Sequence, residues 1–195
     1  AVKLVELSGA DGAAPVLERY AIEALPRDAV VDGNIANMDA VSEAIRRALR
    51  RFGAVRNVAA ALPAASVIIK RIIVPAGLRE HELEALVESE ASQYIPFALD
   101  EVSLDFQITS ALLNNPGEVE VLVAASRRDK VEDRVAAAQA AGLRVVVMDV
   151  ESLATEAALE RITRELPQAG ADRIIGLIDI GSSVMAANMF RNGQR

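Results

Sequence analysis

The sequence predicts an α/β protein in which helices cover a sheet. Hydrophobic residues make up 52% of the chain but aromatic ones only 3%, with no Trp, so the core is built of Ala, Val, Leu and Ile. Along most of the chain, stretches of strand-like apolar pattern alternate with stretches of helical spacing. The stretch from Ser66 to Ala141 also reads as a compact block of three strands and two helices. A chain of 195 residues suffices for one large domain or two small ones with a well-buried core.

Taken in order, Val2 and Leu4 begin a short, loosely alternating strand, and Gly9 to Pro15 is a turn rich in Gly, Ala and Asp. Val16 to Leu25 carries a second strand with Tyr20 and Ile22 on one face, and Pro26 to Asn37 reads as a loop. Asn37 is a good N-cap for a helix whose core positions are Val41, Ile45, Ala48, Leu49 and Phe52, with Gly53 as its C-cap. The arginines 46, 47, 50 and 51 suggest an anion site, but a solvated face near a helix C-terminus is the commoner meaning of such a run. Val58 to Leu62 is a short strand of small residues that Pro63 ends.

The block then opens with a strand from Ser66 to Val74, dense in Ile and Val. Its first helix, about Arg79 to Gln93, carries Leu83, Leu86, Val87, Ala91 and Tyr94 at core spacing, with five glutamates mostly on the wet side. His81, the only histidine, sits among them with no partners for catalysis or metal binding and reads as solvated. Strands follow at Val102 to Leu112 and Glu118 to Ala125, joined by a turn at 114–117. The next helix, Arg128 to Ala141, places Val131, Val135, Ala138 and Gln139 on one side. Leu143 to Met148 is a continuous apolar strand, as expected when both sheet faces are covered, and with it the block would complete the βαββαβ pattern of a ferredoxin-like unit. Asp149 can cap a helix from Glu151 to Arg164 that buries Leu153, Ala157 and Ile162. The short strand 58–62 and the apolar strand 143–148 both want helix-covered places in a parallel core, so the flanking parts read as one sheet domain that the block interrupts.

Composition excludes several functions. A net charge of −7 and a pI near 4.9 leave no basic footprint for nucleic acid. The absence of Cys removes disulfides, thiolate zinc sites and thiol catalysis, and fits a reducing cytoplasm. No apolar run approaches the roughly 20 residues of a membrane span, and no signal peptide opens the chain. Both ends fall next to patterned segments, so a fragment truncated at both ends is expected.

The stretch from Arg173 to Arg195 carries the one chemical motif. An apolar run ends in Asp179, Ile180 and Gly181; Ser182 and Ser183 follow, then a second apolar run leads to Asn192 and Gly193. Glycine lets an anion approach the backbone, and small hydroxyls and turn N–H groups can donate to it. The carboxylate would hold a cation or a water rather than the anion itself. An ordinary surface hairpin explains the same residues, and a lone Asp-x-Gly is weak evidence of function.

In this order the chain resembles the PilM family, the actin-like proteins of type IV pilus assembly, which are related to the cell-division protein FtsA. The stretches AVKLVELS, ERYAIEALPRDAVVDGNIAN, ESEASQYIPFALDEVSLDFQI, VLVAASRRDKVEDRVAAAQAAGL, VVVMDVESLA and LIDIGSS carry the resemblance over essentially the whole chain. It implies an actin-like (ribonuclease H-like) α/β fold. Residues 1–64 with 142–170 would form the first subdomain, 65–141 an inserted subdomain, and 171–195 the first hairpin of a second domain otherwise mostly absent. Lys3 falls where such proteins carry a phosphate-facing lysine, and Asp179, Gly181, Ser182 and Ser183 match their second phosphate loop, where the acid holds Mg²⁺ through water. Asp149 or Glu151 lies near the position of the water-orienting group in relatives that hydrolyse nucleotide. ATP and Mg²⁺ are therefore implied for the intact protein and neither for this fragment, in which any ATPase activity should be weak or absent.

The resemblance further implies a cytoplasmic platform held at the inner face of the inner membrane through a partner. That partner is the cytoplasmic N-terminal tail of PilN, lying between the first subdomain and the insert, with other pilus-assembly components and further copies of the chain as additional partners. Tyr94, Ile95, Pro96 and Phe97 combine aromatic, branched and rigid surface after a helix end and suit an interface anchor; folding back into the insert's own core is the equal alternative. A working ATPase or phosphotransferase of the actin and sugar-kinase superfamily is the rival from another class, and needs a general base that the sequence does not supply. An FtsA-type division protein would add an amphipathic membrane helix beyond Arg195.

Overall fold

The computed structural model describes residues 1–9, 15–112, 115–164, 174–181 and 185–191. They form two compact units, one of residues 1–60 and 65–148 and one of 61–64 and 149–195.

The first unit begins with an antiparallel hairpin of β1 (Val2–Ser8) and β2 (Val16–Glu23). Its alternation sends Leu4 and Ala21 inward, against Ala48 and Phe52. Tyr20 and Ile22 do share a face, but it is the solvent face, with Val5 and Leu7 beside them. The segment expected as a loop holds a miniature hairpin, β3 (Val30–Val31) and β4 (Asn34–Ile35). Its turn residues Asp32 and Gly33 both have left-handed φ angles, +48° and +76°, as a type I′ turn requires and an Asp-Gly pair supplies.

Helix α1 (Met38–Leu49) is capped by Asn37, whose Oδ1 accepts from the Ala40 N–H at 3.0 Å. Gly53 is not the C-cap: the helix ends at Leu49, Gly53 is not left-handed, and the N–H groups of Arg50, Arg51 and Phe52 tighten the last turn by bonding three residues back. Of the arginines, Arg46 pairs with Glu43, and Arg47 and Arg51 share Glu23, which fits a solvated face. Strand β5 (Asn57–Leu62) follows.

Strand β6 (Val67–Pro75), helix α2 (Glu80–Ala91), strands β7 (Val102–Leu112) and β8 (Asn115–Arg127), and helix α3 (Arg128–Ala140) make up the block. Its sheet is antiparallel in the order β6-β8-β7. β8 starts three residues earlier than expected, so 115–117 belong to the strand; Asn114 lies outside the described residues. Leu83 and Val87 of α2 close one sheet face over Val74, Val121 and Val123. α3 turns Ala138 inward as expected, but with Ala137 beside it, and leaves Gln139 exposed, because the alanines meet Val41 and Ile45 of α1.

Strand β9 (Arg144–Val150) does not join the block. It neighbours β5, so the ferredoxin-like completion fails. Nor are both its faces covered, since Val146 and Val147 are about half exposed.

The second unit holds helix α4 (Glu151–Arg164) and the antiparallel hairpin of β10 (Ile174–Ile180) and β11 (Met185–Arg191). Asp149 accepts from its neighbour Val150 N–H at 2.7 Å rather than from the first turn of α4. The buried residues of α4 are Ser152, Leu159 and Thr163, whereas Ala157 and Ile162 face solvent, so the helix is rotated from its expected face. β10 is one-sided rather than fully buried. Ile175, opposite the buried Phe190, faces inward, while Ile174, Ile178 and Ile180 are exposed. Among the described residues no helix is long and apolar enough to cross a membrane.

Candidate functional site

Helix α2 ends at Ala91, its last turn tightens through the Gln93 N–H to Glu90 O bond, and Pro96 bars any continuation. The N–H groups of Tyr94 and Ile95 still bond back to Ala91 O, at 3.1 and 3.0 Å, which fixes the direction in which the chain leaves the helix. Ile95 therefore enters a small core with Ala91, Val102 and Ala125, and Tyr94 packs against the same cluster. Pro96 and Phe97 stay at the surface, Phe97 with 39% of its area exposed.

These residues border a cavity of about 390 Å³ at one end of the three-stranded sheet, wholly within the first unit. Val67, Ile68, Val102 and Ala125 give it an apolar floor, and Ile95, Pro96 and Phe97 form one side. Asp32 and Asn34 of the β3–β4 hairpin also line it, as do the charged Arg127 and Lys130, here called its wall and its rim. Ser126, buried beside the floor, is satisfied by donating to Ser66 O at 2.8 Å.

The rim is electrostatically organised. Arg127 donates to both carboxylate oxygens of Asp129, Nε at 3.1 Å and Nη2 at 2.9 Å, and its guanidinium lies 5.6 Å from the centroid of the Phe97 ring. Lys130 Nζ is 3.9 Å from the same carboxylate. Partial desolvation pushes the Asp129 carboxyl up, but the hydrogen bonds and charge of Arg127, with Lys130, outweigh this and hold it below its ordinary range. Next to the lining residue Ile95, the Tyr94 ring centroid has Lys70 Nζ at 5.7 Å. The Tyr94 hydroxyl is buried with no hydrogen-bond partner among the described residues, and burial, followed by the charge of Glu90, raises its pKa.

The residues expected to form an anchor thus divide: Ile95, Pro96 and Phe97 line the cavity, whereas Tyr94 does not and packs against the cluster that holds Ile95. The phosphate-loop residues lie elsewhere. Lys3 is exposed on β1 opposite Ile22, in the first unit; Asp179, opposite Ala186, and Gly181 are exposed in the second. Ser182 and Ser183 lie outside the described residues. Among the described residues no cluster of three His, Cys, Asp or Glu side chains is placed to hold a metal ion. Sequence reasoning missed Asp32, Asn34, Arg127 and Lys130, although the Asp-Gly pair and the charged run 127–130 at the β8–α3 junction were visible signals.

Residues 1–195 match the family model described as type IV pilus assembly protein PilM. The chain is also similar to the solved structure of a PilM-PilN type IV pilus biogenesis complex, with 33% identity and a TM-score of 0.82. That match covers 98% of this chain and 55% of the other, so the chain spans about half the length of that relative. A second solved structure is the cytoplasmic domain of EpsL, an inner-membrane component of the type II secretion system of Vibrio cholerae. It matches at 17% identity and a TM-score of 0.42, over 55% of this chain and 42% of that one.

Proposed function

Because the chain belongs to the PilM family of type IV pilus assembly proteins, we propose that its groove at the sheet end receives the cytoplasmic N-terminal tail of PilN. Its fold is the actin-like α/β fold of that family. The observation that carries the docking reading is the cavity itself: an apolar floor, one partly exposed aromatic wall and a rim of fixed charge, all within one compact unit. A few apolar side chains entering such a space supply most of the affinity of a peptide, and rim charges fix its register. The similar solved structure is a complex of PilM with PilN, which supports the choice of partner.

In this reading residues 1–64 with 142–170 are the first actin-like subdomain, 65–141 the inserted one, and 171–195 the start of the second domain. The protein is cytoplasmic and comes to the inner face of the inner membrane through PilN, as a platform rather than an enzyme. The longer protein binds ATP with Mg²⁺, using Lys3 and the loop of Asp179, Gly181, Ser182 and Ser183, with Asp179 holding the metal through water.

Calorimetric titration with a synthetic PilN tail peptide tests the docking. Binding is expected, and Phe97→Ala is expected to weaken it about tenfold or more. It should barely change the melting temperature, since Phe97 is partly exposed. No heat with the unmodified chain, or an unaltered affinity in the variant, would overturn the assignment.

A further inference from the structure

The groove has one wall with almost no structure of its own. The β3–β4 hairpin has two residues in each strand, yet it brings Asp32 and Asn34 to the cavity. Two backbone bonds tie its base, from Ala36 N–H and Asn37 N–H to Ala29 O at 3.0 and 3.1 Å. Ile35 packs partly into the neighbouring core. The tip is held differently. Arg134, on α3, donates from Nη2 to Gly33 O at 2.7 Å, across 101 residues of sequence, and from Nη1 to Lys130 O at 3.4 Å. One partly buried guanidinium thus joins the turn of the hairpin to the helix turn that carries the rim residue Lys130.

We infer that Arg134 is a positioning residue for the bound tail: it fixes the separation between the hairpin wall and the Lys130 rim, so that the groove is formed before the peptide arrives. This rests on the groove being the seat of the tail. A two-residue hairpin gains little from its own ladder. Without the clamp its tip would have to be ordered during binding, and ordering at that moment weakens affinity. The contact is to a backbone carbonyl, so the effect does not depend on the side chain at position 33. Arg134 does not line the cavity; its bearing on the groove is through the wall it holds.

Two measurements on Arg134→Ala test this. In the free protein, amide exchange at residues 34–36 is expected to quicken about tenfold while the rest of the chain is unchanged. In calorimetry the PilN tail peptide is expected to bind about tenfold more weakly. A second background, Asp32→Gly with Asn34→Ala, strips the wall of its lining side chains; Gly is at home at the +48° φ of position 32. There Arg134→Ala is expected to add no further loss, the non-additivity of residues acting as one unit. Unchanged exchange at the hairpin overturns the clamp. A lower melting temperature with intact affinity, or an affinity loss that persists in the stripped background, overturns its role in positioning. If the unmodified protein fails to bind the peptide, the docking assignment falls and positioning falls with it, while the exchange result still decides whether the clamp exists.

Discussion

Glu120 shows how a single exposed-looking acid on a sheet can be committed to the fold. Its carboxylate accepts from Thr109 Oγ1 at 2.9 Å and from Arg71 Nη1 at 2.8 Å, linking all three strands of the sheet. The hydrogen bond from Thr109 is the largest influence on its pKa; desolvation opposes it, Arg71 adds to it, and the net result lies below the ordinary 4.5. A carboxyl that is more acidic in the folded state stabilises the fold above its unfolded pKa, and this contribution is lost as pH falls through the lower folded value. Urea unfolding is therefore expected to show stability declining below about pH 4.5, less steeply in Thr109→Val. An identical acid limb in the variant would remove Glu120 from the account. At this scale the sequence was readable where chemistry is local. Asn37 caps as its position dictates, whereas the sequence left open whether the segment 94–97 faces out or in, and the structure divides it, Phe97 exposed and Ile95 buried. The partnership of Arg127 with Phe97 was not readable, because it depends on how β8 runs past the end of α2.

Among the elements, α2 is the one that the block cannot lose. Its residues Leu83 and Val87 form the lid of the three-stranded sheet, and Val87, Val121 and Val123 are almost wholly removed from solvent. Leu83→Ala leaves a cavity over that sheet and is expected to cost about 2–5 kcal/mol, measured as a fall in urea midpoint at unchanged slope. A loss below about 0.5 kcal/mol, the range of surface substitutions, would mean that the sheet does not depend on this lid. Element positions were legible: β7 (Val102–Leu112) and α4 (Glu151–Arg164) lie where the sequence predicts them. Faces failed where contrast was low. In α4 the choice lay among Ala, Ser, Thr and single aliphatics, and no apolar stripe separates the buried Ser152 and Thr163 from the exposed Ala157. The β3–β4 hairpin has strands too short for any period to show, and only its turn residues announce it. The partner of β9 is a long-range choice between two sheets, which a local pattern does not encode.

At the scale of the molecule, the candidate peptide site and the candidate nucleotide hairpin fall in different compact units, so no side chain of one is shared with the other. The chain spans 55% of the similar solved relative, and a nucleotide site that needs more than these residues would show no saturable response here. A site filled at about 100 times its dissociation constant adds roughly 2.7 kcal/mol to stability. Mg-ATP is expected to leave the melting temperature of this chain unchanged, and a shift that disappears in Asp179→Ala would reverse that expectation. The family-level architecture was legible from the long middle stretches of sequence rather than from the Asp-x-Gly motif. The groove was legible only in outline, since its floor, wall and rim come from separate segments between residues 32 and 130.

The turn at the groove wall also carries a clock. Asp32 is followed by Gly33, with no side chain on the following residue to hinder attack of the Gly33 nitrogen on the Asp32 carboxyl. That attack expels water and closes a succinimide, and rehydration on the other side leaves the backbone running through the β-carboxyl, one methylene longer, with the mass restored. Such a lengthened lip would no longer match the reach of the Arg134 guanidinium to Gly33 O. Protein stored at mildly acidic pH is therefore expected to lose tail affinity in proportion to isoaspartate at position 32, read by peptide mapping. Loss of affinity without that product, or the product without loss, would separate chemical age from function.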